Sequence, residues 1–311
     1  MAVYTKITDA ELSAFMHPYR LGEVIAWRAI TAGITNTNFY VETNLGCYVL
    51  TLFEQLSVAQ VRPYIQFVQA LHQAGVTCPK VVMKPGQDTW CAKTLAGKPA
   101  VLQAYLAGSA CDQPTPQQCA DLGRTVARFH LASQDIALEL PETRGAQWRH
   151  MTAQSVLPLM DSVQASALTT LLQQVSQADF QHLPQANIHT DLFRDNVLFV
   201  GDAVSAVLDF YYAQTGPLLF DLAVCALEWC VDEGYQVLSA QWDHLRSGYT
   251  SVRQLTSAEA DTWQVTLRAA IARFWLSRLY DYHHPPASAQ AIAKDPTHFF
   301  KLLPLCGQFT W

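Results

Sequence analysis

Three oxygen-bearing side chains, Asp191, Asn196 and Asp209, stand in an order that suits one kind of chemistry. The asparagine lies five residues after the first aspartate, and the second aspartate lies 13 residues after the asparagine. Phosphoryl transfer needs a carboxylate near the nucleophile, and it needs oxygen ligands for the Mg²⁺ that neutralises the phosphates. We therefore predict that Asp191 is the catalytic base for a hydroxyl acceptor. Asn196 and Asp209 are the predicted Mg²⁺ ligands, with ATP as the donor.

The segment between Asn196 and Asp209 predicts how these two residues come together. Two apolar runs, Val197–Val200 and Val204–Leu208, flank Gly201-Asp202, which is typical of a hairpin turn. A hairpin would return Asp209 towards Asn196, so that both could serve one metal site. The alternative is that the polar residues are ordinary turn residues, since Asp and Asn favour turns. Their joint spacing favours the catalytic interpretation.

The other polar residues nearby have less specific patterns. His189 precedes Asp191 by two residues, and we interpret it as a structural hydrogen-bonding residue rather than a proton carrier. Arg194 and Asp195 are expected to pair with each other or with solvent. Asp221 begins an apolar helix, and the sequence leaves two roles open for it: capping the helix, or anchoring the catalytic loop.

An upstream loop rich in small polar residues is the candidate phosphate-binding segment. It lies between two predicted strands, and its amides and hydroxyls could cover phosphate groups. An ordinary hairpin turn is the alternative. The candidate nucleotide-binding residues of this loop are Gly33, Thr35, Asn36, Thr37 and Asn38.

The strand that follows the loop lacks an expected residue. Kinases of this plan place a lysine on the third strand, where it holds the α- and β-phosphates. Here that strand is Tyr48–Phe53, and Thr51 stands where the charge is expected. Lys98 is a candidate substitute, with a solvated surface lysine as the alternative. The sequence does not decide between two roles for Glu54: an exposed residue at the end of the strand, or a functional residue.

The surrounding pattern predicts an α+β chain with a small β-rich lobe and a larger, mainly helical lobe. Capping boxes at Thr8 and Ser57 predict helices that run to about His17 and Ala74. The predicted strands are Val24–Ile30, Asn38–Glu42, Cys47–Phe53, Lys80–Lys84, Thr89–Leu95 and Pro99–Leu106. Further helices are predicted over Gln117–Ser133, Thr152–Ala178, Leu218–Cys230, Ala258–Tyr282 and Ser288–Leu303. We expect a nucleotide-binding lobe over 1–106, a catalytic and acceptor-binding lobe over 107–311, and a hinge near 103–110.

Composition narrows the classes of function. Half of the 311 residues are hydrophobic and 15% are charged, which supports a sizeable core. A net charge of -6 without a basic cluster argues against a nucleic-acid or anionic-membrane partner. Met1 to Asp9 has no signal-peptide pattern and no long uncharged apolar run occurs, so we expect a cytoplasmic protein. The eight cysteines form no CxxC pair, and we interpret them as reduced and mostly buried.

Segments along most of the chain resemble the aminoglycoside-phosphotransferase-like kinases, and more narrowly the homoserine kinases of that superfamily. The matching segments are Val3-Tyr4-Thr5, Gly33-Ile34 with Asn36-Thr37-Asn38, Val49–Glu54, Gly97–Ala100, Arg144-Gly145 with Trp148, His189–Phe199, Leu208–Tyr212 and Asp221–Ala223. The His189–Phe199 segment is shared widely by the superfamily. The Asn36–Asn38 and Leu50–Glu54 segments are more discriminating, and this subfamily tends to carry Thr where the strand lysine is missing.

The resemblance implies a bilobal, protein-kinase-like fold and the ATP-dependent conversion of L-homoserine to O-phospho-L-homoserine, a step of bacterial threonine biosynthesis. It also implies that Asp191 is catalytic, that Asn196 and Asp209 bind Mg²⁺, and that the backbone near 103–106 receives adenine. Two segments depart from the family pattern on the acceptor side. Gln214–Pro217 stands where a Cys and an Asp are usual, and Leu227–Cys230 stands where Asn-Asp-Trp-Cys is expected.

The identity of the acceptor has alternatives. Homoserine is a zwitterion, so its pocket needs both an acid and a base, and the candidates are Arg144, Arg194, Glu228 and Asp232. Another small alcohol, such as choline, ethanolamine, a sugar or an aminoglycoside, is the first alternative, and the mild net charge argues against a polycation. A nucleotide-binding regulatory protein without turnover is the second. The absent strand lysine favours it, and the intact set of base and metal ligands opposes it.

Overall fold

The computed structural model describes residues 4–31, 35–87, 90, 93–285 and 294–311. The chain divides into two compact units. Unit 1 comprises Met1–Gly108 with Ser205–Tyr211, and unit 2 comprises Ser109–Val204 with Tyr212–Trp311. The division into lobes over 1–106 and 107–311 stays a prediction. That prediction did not group Ser205–Tyr211 with the N-terminal part of the chain.

Two helices of unit 1 begin where their capping boxes predict. Helix α1 covers Asp9–Met16, and α2 covers Val58–Gln73. The Thr8 hydroxyl accepts a hydrogen bond from the Glu11 backbone amide, and the glutamate side chain accepts one from the Thr8 amide in return. Ser57 does the same for α2 with Gln60. Because these boxes satisfy amides that have no partner within the helix, they fix where each helix starts.

Unit 1 contains an antiparallel sheet in the order β1-β2-β3-β5-β4. Its strands are β1 (Val24–Ile30), β2 (Thr37–Thr43), β3 (Gly46–Leu52), β4 (Lys93–Leu95) and β5 (Lys98–Ala104). The strand predicted over Lys80–Lys84 is wrong, since only Val81 forms a bridge, to Gln103. Pro79 and Pro85 flank this segment, and proline cannot donate to a ladder. The sheet packs against α1 through Leu12, Phe15, Phe39, Val41, Leu50 and Leu102, all buried.

Unit 2 carries the other helices of the described chain. They are α3 (Pro116–Gln134), α4 (Ala146–Val156), α5 (Ser162–Ser176), α6 (Leu219–Trp229), α7 (Ser239–Thr250), α8 (Ser257–His283) and α9 (His298–Leu302). Helix α7 was not predicted, because only four of its residues are buried, Trp242, Leu245, Gly248 and Tyr249. The helix predicted over Ser288–Leu303 is shorter than expected within the described residues, and 286–293 lie outside them.

Four short strands surround the catalytic segment. They are β6 (Gln185–Ile188), β7 (Val197–Val200), β8 (Ala203–Val207) and β9 (Gln214–Pro217). Strands β7 and β8 form a two-stranded sheet, which confirms the hairpin predicted around Gly201. Strand β9 pairs with β6 in antiparallel register, with Gln214 opposite Ile188. The departure from the family pattern at Gln214–Pro217 therefore lies beside the strand that leads into the catalytic loop.

Helices α3 and α7 pack with their backbones in direct contact. A Cβ atom at Gly123 would clash with the Leu245 carbonyl oxygen, and one at Gly248 would clash with the Ala120 carbonyl oxygen. Only glycine fits at such a close approach. This contact holds α7 against α3, which matters because both helices contribute to the buried network described below. Within the described residues, no helix combines the length and apolar character that a membrane crossing requires.

Candidate active site

The loop that follows β6 is held by one buried carboxylate. The backbone amide of His189 donates to Asp221 Oδ2, and that of Thr190 donates to Oδ1, both over 2.7 Å. Thr190 has φ of +64°, which is unusual for a β-branched residue and costs about 1–3 kcal/mol. Its hydroxyl also donates to the Tyr212 carbonyl oxygen over 2.8 Å. These bonds hold the loop in a conformation that the backbone alone would not adopt.

The structure decides between the two roles left open for Asp221. Leu218 is the residue at the N-cap of α6, and no side chain caps this helix. Asp221 is fully buried and directs its carboxylate to the loop amides instead. Because it lies in the first turn of α6, the positive end of the helix dipole also stabilises its charge. Asp221 therefore anchors the catalytic loop.

A chain of buried polar groups extends from Asp221 across unit 2. His130 Nε2 lies 3.3 Å from Asp221 Oδ2, and its Nδ1 lies 2.8 Å from the Tyr249 hydroxyl. Arg253 donates to the same hydroxyl oxygen over 3.1 Å and forms an ion pair with Glu259 over 2.9 Å. The pattern assigns the proton of the imidazole to Nε2, since the carboxylate can only accept. Every member has a partner, and such fully connected networks make a buried site rigid.

Asp191 and Asn196 lie together at the end of the loop. The Asn196 side-chain amide donates to the Asp191 carbonyl oxygen over 2.8 Å and to its Oδ2 over 3.1 Å. Removal from water raises the pKa of Asp191, while the positive charge of Arg273 acts to lower it. The amide fixes the orientation of the carboxylate, as a general base requires. Both bonds use the Asn196 nitrogen, and its Oδ1 takes no part in them.

His189 has the structural role that the sequence predicted. It is fully buried, and its Nδ1 accepts a hydrogen bond from the Asp191 backbone amide over 3.2 Å. The imidazole thus bridges two residues of the same loop and shapes the turn into Asp191. A nitrogen that accepts from a backbone amide is not placed to take a proton from a substrate.

The prediction that Arg194 pairs with Asp195 or with solvent is wrong. Its guanidinium donates to the carbonyl oxygens of Asp112, Glu228 and Val231, over 2.5 to 3.0 Å. These bonds tie the loop to the C-terminal end of α6, where carbonyls lack partners within the helix. Since its donors are used, Arg194 is a poor choice for the acceptor's carboxylate.

The other residues proposed to bind the acceptor, Asp232, Glu228 and Arg144, have different surroundings in the structure. Asp232 is exposed and accepts a hydrogen bond from the Gln236 amide in a turn. Glu228 is partly buried, and burial raises its pKa to about 7 against the opposing effect of Arg194 and Lys294. Arg144 lines a cavity in unit 2 that the catalytic-loop residue Thr190 also lines. Of the sequence candidates, Arg144 is therefore the one that the structure brings beside the loop.

Sequence reasoning missed Arg273, which lines the same cavity. This arginine lies on α8, is 7% exposed, and acts electrostatically on Asp191. A signal was present in the sequence, because Arg273 is the one charged residue in the run from Ala269 to Leu276. Burying a charge inside an apolar helical run costs free energy unless a partner compensates it. The position of Arg273 therefore indicates a functional residue.

In unit 1, polar side chains of β2 and β3 pair across the sheet. Asn38 lies opposite Thr51 in the ladder, and the threonine hydroxyl donates to Asn38 Oδ1 over 2.7 Å. The Thr37 hydroxyl donates to Glu54 Oε1 over 2.6 Å. Asn36, Thr37 and Thr51 are all buried. The described part of the predicted loop, Thr35 to Asn38, thus passes directly into a hydrogen-bonded sheet.

Lys98 is an ion-pair partner rather than a solvated lysine. Its ammonium lies 3.2 Å from Glu54 Oε2 and donates to the Glu54 carbonyl oxygen over 2.8 Å. The Thr5 hydroxyl donates to the same carboxylate over 3.1 Å. Glu54 therefore holds the N-terminal segment, β2 and β5 together. A role for it in nucleotide binding stays a prediction.

Asp209 follows β8 with φ of +61°, a left-handed conformation that non-glycine residues seldom adopt. The next two residues fix the segment in unit 1. Phe210 packs against Phe67, with ring centroids 6.1 Å apart, and Tyr211 packs edge-on against Phe53 over 4.5 Å. Burial and the neighbouring Asp209 carboxylate raise the pKa of Tyr211. The carboxylate thus sits on a firmly packed turn.

The donor chemistry of the predicted metal ligands fits Mg²⁺. Asn196 offers an amide oxygen and Asp209 offers a carboxylate, and hard oxygen donors suit this ion. Across the described residues, no group of three or more His, Cys, Asp or Glu side chains could form a metal site by itself.

Some predicted residues lie outside the described part of the chain. They are Gly33 and Ile34 of the loop, and Val3 of the N-terminal match. The predicted strand Thr89–Leu95 is described at Trp90 and over Lys93–Leu95.

Comparison with known proteins shows what this chain is similar to. The model of the Phosphotransferase enzyme family matches residues 26–255. The homoserine kinase of Methylobacillus flagellatus is 38% identical over 303 residues, which cover 97% of this chain and 94% of that protein.

Two solved structures resemble the whole chain. A microcompartment-associated aminopropanol kinase has a TM-score of 0.71 at 18% identity and covers 98% of this chain and 97% of its own. The amicoumacin kinase hAmiN, solved in complex with AMP-PNP, Ca²⁺ and Ami, has a TM-score of 0.69 at 14% identity; the match covers 97% of this chain and 93% of that one. At such low identities these structures show the fold, and the predicted α+β, protein-kinase-like class is confirmed.

Proposed function

Because the chain belongs to the Phosphotransferase enzyme family, we propose that it transfers the γ-phosphoryl group of ATP to the hydroxyl of L-homoserine. The products are O-phospho-L-homoserine and ADP. One observation carries the proposal: the loop that orients Asp191 occurs in a chain 38% identical, over 97% of its length, to a homoserine kinase. The reaction belongs to the cytoplasm and supplies threonine biosynthesis.

Asp191 acts on the acceptor. The homoserine hydroxyl donates a hydrogen bond to the Asp191 carboxylate, which takes the proton as the new O–P bond forms. The amide of Asn196 holds this carboxylate in one orientation. Asp221 holds the backbone from which it projects. Burial raises the pKa of this carboxylate, and the positive charge of Arg273 opposes that effect. The protein thus contributes mainly positioning, which is what phosphoryl transfer requires.

Asn196 and Asp209 are the proposed Mg²⁺ ligands, through the amide oxygen of one and the carboxylate of the other. When bound, Mg²⁺ neutralises charge on the phosphates and orients the γ-phosphoryl group. Asn196 has its nitrogen turned towards Asp191, so its oxygen can serve the ion while the nitrogen serves the base. The left-handed turn at Asp209 projects the carboxylate from a packed segment.

The nucleotide is assigned to unit 1. The loop of Gly33, Thr35, Asn36, Thr37 and Asn38 covers the phosphates, and the backbone near 103–106 receives adenine. Thr51 occupies the position of the usual strand lysine, and it donates to Asn38. Lys98 supplies a positive charge near the loop through its partner Glu54, which also holds Thr37. The loop geometry therefore depends on Glu54.

A panel of acceptors tests the function. Purified protein receives ATP, Mg²⁺ and one hydroxyl compound at a time, and release of ADP is followed. L-Homoserine is expected to have the highest kcat/KM, above L-serine, choline, ethanolamine and an aminoglycoside. A higher kcat/KM with another alcohol would reject homoserine as the acceptor. Nucleotide binding without turnover on any acceptor would reject the enzyme and favour a regulatory protein.

The substitution Asp209→Asn tests the metal assignment. Loss of the carboxylate is expected to lower kcat about 100-fold or more, since it removes a charged ligand from the ion. The apparent Mn²⁺ affinity, measured by electron paramagnetic resonance with AMP-PNP present, should fall as well. The melting temperature controls for folding. Near-normal turnover with near-normal Mn²⁺ affinity would show that Asp209 is not a ligand.

A further inference from the structure

A cavity of about 100 Å³ in unit 2 is lined by an unusual set of charges. Three arginines, Arg144, Arg149 and Arg273, line it together with one carboxylate, that of Glu142. Thr190 of the catalytic loop and Gln214 of β9 form another part of its wall. A surplus of positive charge in a partly enclosed space attracts an anion and repels a cation.

Arg273 is the member that most needs a partner. It is 93% buried on α8, given its exposure of 7%, and within the described chain its guanidinium forms neither a side-chain hydrogen bond nor an ion pair. The guanidinium carbon lies 4.0 Å from the centroid of the Phe274 ring. Burial lowers the pKa of Arg273 to about 10. A buried charge without a hydrogen-bonded counter-ion costs several kcal/mol.

Among the described residues, no carboxylate supplies that partner. Asp191 and Asp281 act on Arg273 electrostatically, but neither comes within the 4.0 Å that defines an ion pair, among the described residues. Asp281 is exposed. Asp191 is held by Asn196 for catalysis. The guanidinium therefore faces the cavity with its donors available to a ligand.

The other two arginines are prepared for the same ligand. The Arg144 guanidinium carbon lies over the Trp148 ring, 4.7 Å from its centroid, and this contact restricts the side chain before anything binds. Burial lowers the pKa of Arg149, and Glu142 opposes this effect. Forked guanidinium groups bind carboxylates through paired hydrogen bonds. A carboxylate is thus the ligand chemistry that this set recognises best.

We infer that this arginine cavity binds the carboxylate of the acceptor amino acid, with Arg273 as its principal partner and Arg144 as the second. The inference rests on the proposed function for the identity of that acceptor. In homoserine three carbon atoms separate the hydroxyl from the carboxylate, so one small molecule reaches from Asp191 into the cavity. Glu142 offers an opposite charge to the ammonium group. The cavity therefore distinguishes an amino acid from a simple amino alcohol.

The test compares two acceptors that differ by the carboxylate alone: L-homoserine and 3-aminopropan-1-ol. Steady-state kinetics are measured at pH 8.5. For Arg273→Met, kcat/KM with homoserine is expected to fall about 100-fold or more, mainly through KM. With 3-aminopropan-1-ol the fall should be at least about ten-fold smaller, since this acceptor lacks the carboxylate that Arg273 would bind. Arg144→Gln, at a half-buried position, should show the same selectivity at about ten-fold.

Arg268→Met is the matched control, since it removes a positive charge from the same helix outside the cavity and should leave both acceptors unaffected. Calorimetric titration of homoserine into protein saturated with AMP-PNP gives a readout without turnover, and Arg273→Met should abolish the heat of binding. Equal losses with both acceptors in both cavity variants, or unchanged homoserine binding, would overturn the inference.

The same experiment separates this inference from the proposed function. If the wild-type protein prefers a different hydroxy acid and Arg273→Met removes that preference, homoserine is the wrong acceptor and the cavity assignment stands. If the wild-type protein phosphorylates homoserine but the variants do not discriminate by carboxylate, the function stands and the cavity assignment fails. A wild-type preference for 3-aminopropan-1-ol would reject both.

Discussion

Helix α6 carries a carboxylate near each end, one fully buried and the other partly buried, and the two have contrasting surroundings. Asp221, in the first turn, accepts hydrogen bonds from two backbone amides and lies beside His130. Glu228, in the last turn, lies at the negative end of the helix dipole, and burial raises its pKa to about 7. One carboxylate is therefore a fixed anchor, whereas the other can gain a proton near neutral pH. Burial alone does not decide the role of a charge; its donors do.

A third carboxylate, Glu54 in unit 1, lies between these extremes. Its donors are the hydroxyls of Thr5 and Thr37 and the ammonium of Lys98, all on side chains. Side-chain donors have conformational freedom that backbone amides lack, and the Lys98 side chain is 36% exposed. We therefore expect Glu54 to hold its neighbours less rigidly than Asp221 does. Three substitutions test this ranking.

The largest effect is expected for Asp221→Asn. An asparagine places an NH₂ group against one of the two backbone amides, so a donor faces a donor and the loop loses its anchor. We expect a loss of about 3–5 kcal/mol in the free energy of unfolding, as when one partner of a buried network is removed. A fall of kcat by about 100-fold or more should accompany it, because misplacement of the base is costly.

Asp243→Asn is the control for Asp221→Asn, since Asp243 is exposed and pairs only with Arg246 on its own helix. Steady-state kinetics and thermal melts of both variants make the comparison. Preserved kcat in a folded Asp221→Asn protein would show that the loop keeps its shape without the anchor.

The second effect is a change in how stability depends on pH, for Glu228→Gln. The ordinary pKa of a glutamate is 4.5, and in the folded protein that of Glu228 is about 7. The folded state therefore keeps a proton that the unfolded chain releases between these values, so the wild-type protein loses stability as pH rises from 4.5 to about 7. The loss amounts to about 3 kcal/mol, at roughly 1.4 kcal/mol per pKa unit.

Glutamine does not titrate, so Glu228→Gln should escape that loss. Its melting temperature is expected to exceed that of the wild-type protein at pH 8 by several degrees more than at pH 4.5. A difference in melting temperature that stays constant between these pH values would show that Glu228 is ionised throughout, as a well-solvated carboxylate would be.

The smallest effect is expected for Glu54→Gln. Glutamine keeps one acceptor oxygen but loses the ion pair with Lys98, so the KM for ATP should rise about ten-fold or less, with kcat little changed. Lys98→Met measured alongside, with the double variant, gives the coupling between the two residues. An additive result would separate Lys98 from Glu54 in nucleotide binding. An unchanged KM in all three would show that the loop does not depend on this anchor.

These regions also show which features the sequence could predict. Local rules fixed the starts of α1 and α2, because a capping box involves residues three positions apart. The hairpin of β7 and β8 follows from a glycine turn between apolar runs. Asp191, Asn196 and Asp209 also lie within one short segment, so their spacing could indicate the type of reaction. The roles of these three residues remain predictions.

The features that the sequence missed depend on partners far along the chain. The donors of Arg194 reach carbonyl groups 34 to 82 positions away, and no spacing rule indicates such partners. Arg273 joins Arg144 in one cavity although 129 positions separate them. Helix α7 buries a sparse apolar face against α3, where two glycines permit backbone contact. In each case the tertiary fold, and not local propensity, decides the role.

The most direct test of the account is the identity of the reaction product. Wild-type protein is incubated with ATP, Mg²⁺ and L-homoserine, and the mixture is followed by phosphorus NMR. The account predicts a phosphate-monoester resonance that is coupled to the protons of the methylene group that bore the hydroxyl. This resonance should grow at the same rate as ADP is formed. ADP with inorganic phosphate alone, or no consumption of ATP above the control without homoserine, would contradict it.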